Sequence, residues 1–158
     1  MSQQGPQDHF DTDAFMDSVQ TAAVETKFVP VPENEYPATV KQGSVKVEPV
    51  NFKDGRTGKR FTAYWDITDA NALRELGMEV AGVRQQFLLD LNDDGSIAAG
   101  VNKNLRLGKI LAAGGIDQSK GWSFRQIEGV SAKVRVKHRP DQNDPEIVYA
   151  EVVAVTKL

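Results

Sequence analysis

Val130-Ser131-Ala132-Lys133-Val134-Arg135-Val136-Lys137-His138-Arg139 alternates small or apolar residues with positive charges. A period of two sends alternate side chains to opposite faces, so Ala132, Val134 and Val136 can enter a core while Lys133, Arg135, Lys137 and Arg139 line the other side. The stretch is a strand with a cationic face. Four like charges at this spacing are tolerated by solvation, or used by a chain of phosphates that neutralises several at once. A plainer role is an outer strand whose Lys and Arg block edge pairing. The strand by itself is compatible with both.

Around it stands a chain of 158 residues, about one domain, with the 40% apolar and 26% charged residues of an ordinary globular protein. The absence of cysteine excludes disulfides, thiolate metal sites and a cysteine nucleophile. The opening Met-Ser-Gln-Gln-Gly-Pro lacks the basic and apolar sections of a signal peptide, and no run of about 18 apolar residues occurs, so a cytoplasmic protein without membrane partners is expected. The net charge of −3 is unevenly spread. Residues 1–36 carry seven acids (Asp8, Asp11, Asp13, Asp17, Glu25, Glu33, Glu35) against Lys27, or −6, which leaves +3 for the rest. An acidic arm on a mildly basic body suits a solubilising tail, or an arm that competes with nucleic acid for one groove.

The first seven residues are Gln/Gly/Pro-rich and expected to be disordered. From Asp11 the spacing of Phe15, Val19 and Ala22/Ala23 predicts a short helix in the arm, capped by Asp11 or Thr12. Val29-Pro30-Val31-Pro32 is an extended connector, so the reading divides the chain into an arm, 1–27, and a domain, 28–158. Residues 36–47 read as a first strand with a bulge at Gln42-Gly43, and 51–60 as a basic loop with an exposed Phe52. In the second strand, 61–68, Phe61, Ala63, Trp65 and Ile67 point inward, and Arg60, Thr62, Tyr64 and Asp66 outward. Asp69 caps a short helix that Gly77 ends. A third strand, 82–91, turns Val83, Gln85, Phe87, Leu89 and Leu91 inward and Arg84, Gln86 and Asp90 outward. Asn102 caps a helix to Ala113 with a core face of Leu107, Ile110 and Leu111 and a basic stripe of Lys103, Arg106 and Lys109. The cationic strand, an acidic loop and a last strand, 147–156, complete the chain. Five strands and one substantial helix predict a mainly β fold, a five-stranded OB-fold-like barrel with the helix between strands three and four.

Catalytic signatures are lacking. His9 lies in the tail, and His138 continues the inward register of Val134 and Val136 as a residue at the barrel's end; no serine sits on a Gly-x-Ser-x-Gly elbow. Asp90-Leu91-Asn92-Asp93-Asp94-Gly95 matches the opening of an EF-hand loop, but the twelfth position is Val101 and a strand precedes it, so a hairpin turn is expected. Gly55-Arg56-Thr57-Gly58 has the form of a KH clamp without its flanking helices, and Gly58-Lys59 lacks the spacing of a P-loop. No enzyme, cofactor or metal is expected. What remains is a basic loop where an OB barrel grips a nucleic-acid backbone. Lys53, Arg56, Lys59, Arg60 and Arg84, with Lys133, Arg135, Lys137 and Arg139, are candidate phosphate contacts; Phe52 and Tyr64 are candidate stackers on unpaired bases, and Trp65 belongs to the core.

Three segments carry a family likeness: Phe28-Val29-Pro30-Val31-Pro32-Glu33-Asn34-Glu35-Tyr36-Pro37-Ala38, Asn104-Leu105-Arg106-Leu107-Gly108-Lys109 and Val148-Tyr149-Ala150-Glu151-Val152. Together they resemble the DUF669-like group of tailed-phage proteins. The resemblance runs from about Asp11 and implies a single-stranded-DNA-binding protein of phage replication and recombination, working in the host cytoplasm. Its motifs belong to the scaffold, so the site residues above rest on the strand reading. Bacterial proteins of this function carry an acidic partner-recruiting tip at the carboxyl end. Here that end is Val155-Thr156-Lys157-Leu158, so recruitment of replication or recombination proteins falls to Asp8-His9-Phe10-Asp11 in the arm. The alternative is a phage interaction or structural module whose charges only solvate it.

Overall fold

The computed structural model describes residues 10–25 and 28–158. The expected disordered start and the Asp8-His9 half of the acidic tip lie outside the described residues. Among the described residues six strands run β1 Asn34–Val40, β2 Lys46–Asn51, β3 Thr57–Ile67, β4 Ala81–Leu88, β5 Ser131–Pro140 and β6 Val148–Thr156. Three α-helices accompany them: α1 Thr12–Asp17, α2 Ala70–Arg74 and α3 Leu105–Ala113, the last between β4 and β5. The strands form one mixed sheet in the order β1-β5-β6-β4-β3-β2, antiparallel except for β4 against β6. Because β1 also pairs with β3, the pairings return to the strand they started from. Among the described residues no helix is long and apolar enough to cross a membrane.

The sixth strand corrects the expected five. Residues 36–47 were expected to be one strand with a bulge, and the chain does bend at Gln42-Gly43, where Gly43 takes φ +78° and Ser44 bonds back to Lys41. The interruption is larger than a bulge, however. Val40 pairs with Trp65 and Lys46 with Thr62, so six steps on one side oppose three on the other. Three extra residues reverse the parity. Tyr36, Ala38 and Val40 face inward before the break, and Val47 shares the Phe61 side after it, which serves the apolar pattern better than an unbroken strand would.

The hairpin after β2 is also tighter than expected. Phe52 N–H donates to Arg56 at 2.8 Å and Gly55 N–H to Phe52 at 3.0 Å, with Gly55 at φ +88°, so β3 starts at Thr57. Lys59 and Arg60 are therefore strand residues, not loop residues. The helix expected from Asn102 begins at Leu105. Asn104, left-handed at φ 50°, precedes it, and its amide ties the preceding loop by accepting from Asp90 N–H and donating to the Asp90 and Ala98 carbonyls. Asp69 does cap α2, accepting the Ala72 N–H at 2.9 Å, and the helix buries Leu73 with Ala72 partly buried beside the core.

Inside the sheet, Phe61, Ala63, Trp65, Ile67, Ala132, Val134 and Val136 are fully buried, and α3 adds Leu107, Ile110 and Leu111 from the predicted face. Gln85 is the buried polar side chain among them, and its Oε1 accepts the Trp65 indole N–H at 2.8 Å. His138 departs from the expected inward row. It is exposed at the end of β5, where its ring Nε2 is 2.7 Å from the Val31 carbonyl oxygen and its backbone N–H donates to Glu33 at 2.7 Å. That pair of contacts pins the 28–32 connector to the sheet.

Removing the Gln85 acceptor leaves a buried N–H without a partner, a loss of about 1–3 kcal/mol. Gln85→Leu should lower urea-unfolding stability by about that amount. Trp65→Phe added to it should cost less than the sum of the two single changes, and strict additivity would show that the hydrogen bond contributes nothing.

Candidate nucleic-acid interface

The outward faces follow from the inward ones. Arg60, Thr62 and Tyr64 on β3 lie opposite Leu88, Gln86 and Arg84 on β4, and Arg84 lies opposite Glu151 on β6. Lys137 and Arg139 on β5 face Glu151 and Tyr149. Sheet order thus sets the candidates on the outward side of the sheet, in the strand sequence β5-β6-β4-β3-β2.

They form three groups. In the hairpin, the Phe52 ring is half-buried over the bare backbone of Gly58, where an added Cβ would lie 2.9 Å from the ring, and the Arg56 guanidinium sits 5.7 Å from the ring centroid while pairing with Asp54 at 2.6 Å. Phe52 and Arg56 therefore close the hairpin on itself. Lys59 donates to the Gly95 carbonyl at 3.0 Å, Arg60 is half-buried opposite Glu48, and Lys53 stays exposed at the tip.

The β5 stripe is exposed as expected, but it is laced with carboxylates. Glu35 on β1 takes Arg135 at 2.7 Å and Lys133 at 3.2 Å. Glu151 on β6 takes both Arg84 and Arg139 at 3.3 Å. Glu33 is held below the usual carboxylate range first by the His138 backbone N–H and further by the charge of Lys137. Five cations against three carboxylates leave this surface at +2.

The third group lies between these two. Tyr64 and Arg84 share a groove of about 550 Å³ with Tyr149, whose role the sequence reading missed. Both tyrosines are about two-fifths exposed, at 41% and 42%. The connector residues Phe28 and Val29 form one wall, and Leu76 and Met78, after α2, form the other. Asp141 lines the groove too; hydrogen bonding to its carboxylate raises the Tyr149 hydroxyl above its ordinary range, while the Asn143 and Asp144 backbone N–H groups hold Asp141 low. A second hollow of about 330 Å³ shares Tyr64 and Gly82 with the first and adds Lys41 and Lys46, also unassigned from sequence.

Asp90-Leu91-Asn92-Asp93-Asp94-Gly95 forms the expected turn, closed by a Leu91–Ile97 bridge, with the Asp90 carboxylate accepting the Asn104 N–H at 2.7 Å. Among the described residues, no three His, Asp or Glu side chains gather as a metal cage. No protein-family model matches the chain, and no curated protein does.

The ion pairs on β5 give this surface a direct test. Replacing Glu35 and Glu151 with glutamine removes the counter-ions while keeping shape. If the stripe meets phosphate, Glu35→Gln with Glu151→Gln should tighten oligonucleotide binding and steepen its dependence on salt. Unaltered affinity in fluorescence polarisation would place the stripe outside the interface.

Proposed function

We propose that this chain is a phage-type single-stranded-DNA-binding protein of the OB kind, coating unpaired DNA without sequence preference during replication and recombination. The observation that carries this reading is the groove on the β3–β4 face where Tyr64, Arg84 and Tyr149 converge. Two ring faces beside a guanidinium offer stacking to bases and charge to the backbone, and neither demands a particular base. The connectivity supports the OB assignment. Counted as one interrupted strand, β1 and β2 give five strands whose pairings close on themselves, with α3 between the third and fourth, and OB barrels bind nucleic acid on the face of strands two and three.

The likeness to DUF669-like phage proteins points the same way, and it locates the protein in the host cytoplasm. In the arm, α1 leaves Phe10, Phe15 and Met16 exposed beside Asp11, Asp13 and Asp17, chemistry suited to recruiting a replication or recombination protein with a basic, apolar surface. No reaction is assigned to the site.

Gel shifts on oligo-dT and duplex DNA test the reading. Binding should favour oligo-dT, with log affinity falling by roughly 0.7 per log salt for each phosphate neutralised. Tyr64→Ala should weaken it by about 1–3 kcal/mol, the worth of a stacked base. Equal or absent binding to both nucleic acids at low salt would remove the proposal. One observation favours a protein-docking module instead: exposed apolar side chains, Phe28, Val29 and Met78, border the groove. On that account Lys133→Glu with Arg135→Glu changes no DNA affinity, because there is none, and a protein partner is recovered by pull-down.

A further inference from the structure

The connector that walls the groove is fixed at one end and open at the other. Val31 is buried, its carbonyl engages the His138 ring at 2.7 Å, and the Pro32 carbonyl accepts the Tyr36 hydroxyl at 2.7 Å. Three residues upstream, Phe28 is carried over the groove with 62% of its surface exposed, facing Tyr149 rather than the core. Phe28 is not a lone surface ring: Val29 beside it is 62% exposed as well, and the two form an apolar border on the groove.

The two rings stand 6.4 Å apart between centroids, tilted by 45°. Successive bases of a strand are spaced by about 3.4 Å, so a base stacked between two rings needs them about two such steps, roughly 7 Å, apart. A base enters only when Phe28 turns towards parallel with Tyr149 and the ring faces move apart to that spacing. Tyr149 offers a steadier face. It stands on β6 directly opposite Arg139, and the Asp141 carboxylate that lines the same groove is oriented by the backbone N–H groups of Asn143 at 2.8 Å and Asp144 at 3.1 Å.

We infer that Phe28 and Tyr149 form a clamp that takes one unpaired base between their rings. This rests on the nucleic-acid reading of the groove and adds to it a binding residue from outside the sheet. The strand of nucleic acid then passes beneath the connector, with Arg84 on the groove floor available to the adjoining phosphate once Glu151 releases it. Tyr64 stacks separately, on the opposite side of Arg84.

Full-length protein and fluorescein-labelled oligo-dT test the clamp. Phe28→Leu keeps apolar bulk and removes the ring face. It should weaken binding by about 5- to 150-fold, the range for losing one base–aromatic stack, with an unchanged melting temperature. Phe28→Trp should restore affinity, and its indole emission, measured as the difference from wild type, should be quenched as oligo-dT is added. If Phe28→Leu binds as tightly as wild type or more tightly while Tyr64→Ala is weakened, the connector is a bystander or a competitor, and the clamp is wrong although the groove reading stands. Failure of the wild type to bind oligo-dT removes both.

Discussion

Trp65 heads the fully buried side chains by size, and its indole N–H must find an acceptor in the interior. Gln85 provides it from the neighbouring strand, two positions along from Val83, the residue directly opposite Trp65. Much of the outer surface follows from this bond. A one-residue slip of β4 would carry Gln85 into solvent and turn Arg84 into the core, and a slip of β3 would do the same to Trp65 and Tyr64, so either breaks the bond. The two outward residues that define the groove are therefore held in place by the chemistry of the side that cannot be seen from it.

The electrostatics of the outer surface are less one-sided than the charge pattern of β5 suggests. Glu33 and Glu35 were counted with the acidic segment 1–36, yet they are committed to the sheet, one to the His138 backbone N–H and the other to Lys133 and Arg135. Only the acids upstream of the connector are left for an independent arm. Exposed ion pairs of this kind hold weakly because water competes for both partners. Under the proposed function that weakness is useful. Phosphates can replace carboxylates one pair at a time, and a surface that is nearly neutral in the free protein is less prone to collect unrelated polyanions.

Where a strand is uniformly alternating, its sequence was enough to orient it: β3, β4 and β5 as far as Val136 bury the residues that the period of two selects, His138 at the strand's end being the exception, and α3 buries Leu107, Ile110 and Leu111. Legibility ended where parity breaks. The three extra residues between β1 and β2 disguise two strands as one. In β6, Arg135 pairs with Ala154 and Val136 with Val152, so Val153 is an unmatched residue. Tyr149 and Glu151 face outward before it, and Ala154 and Thr156 after it, so no single alternation could have revealed Tyr149 as a groove residue. The partners of the β5 cations were hidden for another reason. Glu35 lies about a hundred residues away in sequence, and a charge count along one strand contains no information about the strand beside it. Phe52 illustrates the converse: a ring in a turn-rich loop looked available, but the glycine at position 58 lets it pack against the hairpin's own backbone.

Gly82 bears on what the groove is for. Glycine inside a strand weakens it and is usually retained for a bulge, a bend, a positive φ or the close approach of another molecule. Its pairing with Asp66 continues the β3–β4 register without a shift, and it is not among the positive-φ glycines. Nor is it needed to avoid a clash, since an added Cβ would lie 3.6 Å from the Asp66 carboxylate and 4.0 Å from the Tyr64 ring, both ordinary contacts. The fold would accept a side chain there. What a side chain would take away is the shared floor of the two hollows, one with Lys41 and Lys46 and the other with Arg84 and Tyr149. With glycine the two hollows meet at a bare backbone position beside Tyr64, with Lys41 and Lys46 lining one and Arg84 the other. Duplex DNA could use those charges, but its bases are already stacked on both faces and would leave the tyrosines without a partner. On the proposed reading, selectivity for single strands then comes from the rings, and the charges add affinity that does not discriminate.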